Sequence, residues 1–142
     1  MPDITGGCHC ENIRYEFFWP LDGDQVPVRA CGCDFCQKHG GVWASHPLAK
    51  LHLTATSLTD VSRYTFGHAT AEFLFCTCCG SLITAISEID EILYAVINVN
   101  SFDPIDPLTL SSRATDFESE DIDARLARRQ RHWTPNVQLT QR

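Results

Sequence analysis

Three observations predict a mainly-β fold. Short runs in which apolar and polar residues alternate recur along the chain, as half-buried strands require. Turn-forming residues separate these runs at intervals. All eight cysteines fall in three clusters, Cys8-His9-Cys10, Cys31-Gly32-Cys33-Asp34-Phe35-Cys36 and Cys76-Thr77-Cys78-Cys79, a spacing that suits metal staples between strands.

Length and composition set the frame. A chain of 142 residues is expected to form one domain spanning 1–142 with a hydrophobic core of its own. Hydrophobic residues at 44% and charged residues at 20% fit a soluble globular protein. No apolar run approaches the ~20 residues of a membrane span. The start, Met1-Pro2-Asp3-Ile4-Thr5-Gly6, lacks the basic-then-apolar pattern of a signal peptide. A cytoplasmic location follows as the expectation, and with it reduced thiols that bind metal or react instead of forming disulfides. A net charge of −7 argues against nucleic acid and for a small-molecule partner.

The elements follow in order. Gly6-Gly7 opens the first cluster, where glycine lets the backbone come close to a metal. In extended chain, Cys8 and Cys10 would point to one face. Ile13, Tyr15 and Phe17 alternate with Arg14 and Glu16, giving a strand, and Pro20 to Gly23 gives a turn. Val26 to Ala30 forms a short strand, with Pro27 pointing to a sheet edge. Gln37 to Gly41 supplies a helical turn and loop. Val42 to His46 and Leu51 to Thr54 are further strands. Arg63 to Phe66 and Ala71 to Phe75 flank Gly67-His68 as a hairpin that ends at the third cluster. Leu82 to Ile86 and Leu93 to Val99 are strands separated by acidic Glu88 to Glu91. The tail from residue 113 differs: acidic residues 116–123 precede basic Ala124 to Arg131, a helix whose charges suit its dipole. A charge run of this kind predicts a solvated face.

Cys76-x-x-Cys79-Gly80 has the form of a metal knuckle, with the glycine supplying a positive φ after the second thiol. Pairing Cys8 and Cys10 with Cys76 and Cys79 gives a tetrahedral four-thiolate zinc that staples the first strand to the middle of the chain. Cys78 is left over and is expected to pack as a small hydrophobe. Cys31, Cys33 and Cys36 supply three thiols on one loop and leave a fourth zinc position open for water, a thiol or a carbonyl oxygen. His9, His39, His46, His52 and Cys78 compete for that position; if one binds, the second site is structural too. A redox pair at Cys33 and Cys36 needs a βαβ setting that this chain lacks.

Taken in order, Gly7-Cys8-His9-Cys10 with Ile13-Arg14-Tyr15, Cys31-x-Cys33-x-x-Cys36 and Phe75-Cys76-x-x-Cys79-Gly80-Ser81 resemble the glutathione-dependent formaldehyde-activating (Gfa, centromere protein V-like) family. The resemblance implies a β-tent, Mss4-like fold of short antiparallel sheets stapled by zinc, here with a short C-terminal helix. It implies two zinc ions per chain: a structural one on Cys8, Cys10, Cys76 and Cys79, and a catalytic one on Cys31, Cys33 and Cys36. The activity implied is that of a carbon–sulfur lyase, joining glutathione or another small thiol to an aldehyde as in S-(hydroxymethyl)glutathione synthase. The alternative is a non-catalytic, zinc-scaffolded β-tent binding module. The chain departs from the family pattern at Gly32, where many relatives carry histidine, at Glu11, where glycine is usual, and in its charged tail.

Overall fold

Residues 3–21, 25–104, 109–117 and 119–142 are described by the structure, a computed structural model. In chain order they form β1 (Asp3–Gly7), β2 (Ile13–Phe18), β3 (Gln25–Cys31), α1 (Asp34–His39), β4 (Val42–Ala44), β5 (Lys50–Ala55), β6 (Val61–Tyr64), β7 (Glu72–Cys76), β8 (Leu82–Ile89), β9 (Ile92–Asn98), β10 (Thr109–Thr115), α2 (Ile122–His132) and β11 (Gln138–Gln141). The mainly-β expectation holds, with two sheets and a C-terminal helix. The turn expected at Pro20 to Gly23 falls partly on residues 22–24, outside the described residues. Among the described residues no helix is long and apolar enough to cross a membrane.

One sheet has four strands in the order β1-β2-β5-β11, and the other has seven in the order β10-β3-β4-β9-β8-β7-β6. Period-two side chains explain how they stack. From β2, Ile13, Tyr15 and Phe17 turn inward, and Leu51 and Leu53 of β5 join them. Val26 and Val28 of β3, Leu74 of β7, and Ala95 and Ile97 of β9 meet them from the larger sheet, closing the main core between the sheets. The intervening residues of the larger sheet, Trp43, Phe73, Phe75, Ala85, Tyr94 and Val96, build a second cluster with Phe35 of α1 and Leu126 of α2. That cluster lies on the opposite face of the seven-stranded sheet.

Both sheets are antiparallel except at one edge each, where β10 runs parallel to β3 and β11 parallel to β5. The parallel partner takes β3 away from the edge position expected from Pro27. The proline is tolerated because β4 pairs only with Arg29 and Ala30, leaving the first half of β3 with a neighbour on one side. β8 and β9 meet Ile89 to Ile92, and both residues of their tight turn, Asp90 and Glu91, have positive φ (51° and 67°). This is the primed geometry that matches strand twist.

The hairpin turn between β1 and β2 replaces the extended chain expected at Cys8 and Cys10. Cys8 N–H donates to the Ile13 carbonyl at 2.9 Å, and Glu11 N–H donates back to the Cys8 carbonyl at 3.1 Å. Gly6 serves close packing and not metal approach: a Cβ there would lie 2.2 Å from Tyr15 Oη and 2.3 Å from the Ser101 carbonyl. Glu11 holds φ at 69°, so this position demands left-handed backbone. Replacing Glu11 with glycine should raise stability by about 1 kcal/mol, the usual cost of that conformation for a side chain. The denaturation midpoint of metal-loaded protein measures it; a lower midpoint would mean the glutamate has a contact that outweighs the strain.

Candidate metal centres

The first centre joins two turns. Cys8 and Cys10 come from the β1–β2 turn, Cys76 from the end of β7, and Cys79 from the knuckle that follows. Gly80 takes φ 79°, and its N–H closes the knuckle on the Cys76 carbonyl at 2.8 Å. All four sulfurs lie within 4.8 Å of one another. Cys8 to Cys10 is 3.7 Å and Cys10 to Cys76 is 3.5 Å. Four sulfurs at ~2.3 Å from a tetrahedral zinc would stand about 3.8 Å apart, so the donor set and its edges fit that ion. Every cysteine is a free thiol. Two backbone contacts hold the cradle from outside: Ile13 N–H donates to Cys8 Sγ at 3.2 Å, and His9 N–H to Ser81 Oγ at 3.2 Å. The Arg142 guanidinium grips the same turn through the Glu11 and Asn12 carbonyls at 2.7 and 3.1 Å.

The second centre sits where β3 runs into α1. Cys31 ends the strand, Cys33 is the N-cap of α1, and Cys36 lies in its first turn, with the three sulfurs within 4.8 Å of one another. Helix capping makes this arrangement: Cys36 N–H donates to Cys33 Sγ at 3.4 Å, and Gly40 at φ 65° ends the helix. The α1 helix begins at Asp34, earlier than the helical turn expected from Gln37, because Cys33 serves as its cap. Trp43 Nε1–H donates to Cys36 Sγ at 3.4 Å, and Gly32 N–H is fixed on the Thr115 carbonyl of β10 at 2.9 Å.

The thiols in each centre push one another's titrations apart. A hydrogen bond from Cys36 brings Cys31 down to about 6 against the opposing effect of burial, and the same pairing drives Cys36 far up. Burial raises Cys33. In the first centre burial raises Cys8. The Asn12 amide favours a Cys10 thiolate, but pairing with Cys76, Cys8 and Cys79 outweighs it and carries Cys10 up to about 12. Burial opposes ionisation of Cys79, yet hydrogen bonds led by Ser81 hold it at about 5. Near neutral pH, then, Cys8 and Cys10 in one centre and Cys33 and Cys36 in the other keep their protons until metal enters. Metal uptake should release at least those two protons per centre, and affinity should climb as pH rises. Calorimetric zinc titrations in buffers of different ionisation enthalpy read the proton count; proton-neutral uptake would contradict it.

None of the competing fourth ligands joins the triad. His39 Nδ1 pairs with the Phe35 carbonyl at 2.9 Å, and its ring stacks on Phe35. His46 Nδ1 accepts from Leu48 N–H at 3.0 Å, and His52 Nε2 pairs with Thr140 Oγ1 at 2.9 Å. His9 and Cys78 are exposed, and neither belongs to the sulfur groups. Cys78 is thus neither packed nor facing the triad: the middle of the knuckle points to solvent.

The triad opens on a cavity of about 340 Å³ whose lining is largely apolar. Trp43, Phe66, Phe73 and Trp133 line it, and so do Arg29, Arg125, Arg128 and Arg129. The solvated face expected of the basic run is overturned here. Arg129 is 7% exposed, its Nη1 donates to the Thr70 carbonyl at 3.1 Å and to Ser87 Oγ at 3.1 Å, and its guanidinium lies over the Trp133 ring. These contacts offset the burial of the charge and bind α2 over the triad. The sequence did hold a signal for this: Leu126, Arg129 and Trp133 are spaced three and four apart and share one helix face.

The family model described as glutathione-dependent formaldehyde-activating enzyme matches residues 3–119, which include both thiol centres. A crystal structure of a Rhodobacter sphaeroides protein is similar at 24% sequence identity, covering 75% of this chain and 99% of that one with a TM-score of 0.53. At that identity the likeness speaks for the fold.

Proposed function

Because this chain belongs to the glutathione-dependent formaldehyde-activating family, we propose that it is a zinc-dependent carbon–sulfur lyase acting on the adduct of an aldehyde with glutathione or another small thiol. Cys8, Cys10, Cys76 and Cys79 hold a structural zinc, and Cys31, Cys33 and Cys36 hold the catalytic one. The observation that carries the reading is the triad itself: three converging thiols on the wall of a cavity, with no histidine or further cysteine grouped with them among the described residues, His68 lining the cavity outside that group. Zinc bound there would offer a Lewis-acidic position to a thiolate sulfur or a carbonyl oxygen.

The chain's own residues prepare that position. Trp43 and the α1 cap fix Cys36 and Cys33, so the sulfurs need no rearrangement as substrate arrives. The apolar wall excludes water and so favours addition of a thiol over hydration of the aldehyde. In the forward direction the substrate thiol loses its proton, its sulfur bonds to the aldehyde carbon, and the oxygen gains a proton. The reverse direction breaks the same carbon–sulfur bond.

Exchange NMR on glutathione with formaldehyde tests the activity: zinc-loaded protein should accelerate formation of the S-hydroxymethyl hemithioacetal. Cobalt-substituted protein should also change its visible spectrum when glutathione is added. No acceleration and no spectral change, with both centres loaded, would leave a non-catalytic scaffold.

A further inference from the structure

We propose that the cavity beside Cys31, Cys33 and Cys36 selects a small carboxylate with an apolar body, the carboxylate held by Arg29 and the body resting on Trp43, Phe73 and Trp133. This deepens the lyase reading and rests on it for the identity of the reacting end. It differs from a preference for a zwitterionic tripeptide. The described residues lining the cavity include four arginines and no carboxylate to receive an ammonium group.

The charge balance is uneven. Glu120 accepts from Arg128 Nε and Nη2 at 2.9 and 3.0 Å and lies 3.8 Å from Arg125, so the outer two arginines share one acid. Among the described residues, Arg29 and Arg129 have no carboxylate partner. Arg129 is occupied with Thr70 and Ser87, and its Nε is buried without a hydrogen bond. Among the described residues, the Arg29 side chain has one hydrogen-bond partner, Ser45 Oγ, to which Nη2 donates at 2.7 Å. A guanidinium carries five donors in a planar fork matched to carboxylate, so Arg29 retains its recognition capacity. Thr115 Oγ1, also on the cavity wall, is a second buried polar atom with no partner.

The geometry gives the ligand a length. Arg29 and Cys31 stand two apart on β3 and therefore on one face, with Cα atoms roughly 6.6 Å apart. Trp43 lies directly across from Arg29 in the register of β3 and β4. A compound reaching from Arg29 to the triad spans a few bonds and passes over Trp43. The arginines of α2 lie beyond residue 119, where the family match ends, so this part of the wall belongs to the chain's own tail.

Calorimetry on the full, zinc-loaded chain with 3-phenylpropionate and with its neutral isostere 3-phenylpropionamide tests the inference. The acid should bind at least about tenfold tighter, the scale of a charge-assisted hydrogen bond. Arg29→Met should erase that preference, and Arg29→Lys should keep part of it. Equal binding of acid and amide would reduce Arg29 to a counter-charge for the thiolates and overturn the proposal, as would failure of both to bind. A preference that survives Arg29→Met would place the carboxylate elsewhere, on the metal for instance, and overturn it too. If Arg29→Met misfolds, Arg29→Lys decides the matter: a preference undiminished in that variant would overturn the proposal. Acid preference without any thiol–aldehyde exchange would sink the lyase reading and leave the anion site standing; exchange without acid preference would do the reverse.

Discussion

Replacing Cys33 with serine should abolish turnover while leaving the chain folded. Cys33 does two jobs, one as a sulfur of the triad and one as the N-cap of α1. Serine is among the best N-cap residues, so the hydroxyl takes over the hydrogen bond from Cys36 N–H and the helix keeps its start. It does not replace a thiolate toward zinc, which prefers soft sulfur in such a set. Changes to residues that merely orient metal ligands cost about 10–100-fold, and loss of a ligand should cost at least the upper end of that range. Metal content should fall from two zincs to one, with a melting temperature close to that of the parent. Full activity in a serine variant that holds one zinc would remove the triad from the mechanism.

Replacing Cys79 with serine should act on the fold instead. Cys79 is partly exposed, so little packing is lost with the sulfur. Its zinc would tie the β1–β2 turn to the knuckle after β7, sites 66 residues apart at Cys10 and Cys76. Zinc binding is worth about 10–16 kcal/mol of folding free energy in small finger peptides. This chain has a core between its sheets, so a loss of several kcal/mol is expected and not complete unfolding. Melting with and without a chelator checks it: the chelator should lower the parent's transition steeply and the variant's far less. An unchanged transition in the variant would show that the first centre is not a staple.

Sequence and structure agree where a local pattern decides the outcome. Ile13, Tyr15 and Phe17 alternate because one face of β2 meets the core, and the hairpin of β6 and β7 follows from two apolar runs around Gly67-His68. Asp121 caps α2 by accepting from Ala124 N–H at 2.7 Å, which fits the acid-then-base tail. Agreement ends where pairing is set by distant chain. β10 is Thr-Leu-Ser-Ser-Arg-Ala-Thr, with no alternation to detect, and it becomes a strand because β3 offers it a parallel edge. The thiol sets of both centres were legible because metal ligation fixes residue type and spacing together. The arginines were not: a basic run looks the same in sequence whether it faces water or folds back over a cavity.

The seven-stranded sheet works as a partition. Cys8 and Cys76 belong to the core on one side of it, whereas Cys33, Cys36 and the cavity-lining Trp43, Phe73 and Trp133 belong to the smaller cluster on the other. Mutations in contact couple strongly, and those that share no partners add independently. Exchanges at Phe73 or Trp43 therefore draw on the small cluster and leave the core between the sheets untouched. A lineage, or an engineer, can retune what the cavity accepts without renegotiating how the chain holds itself together.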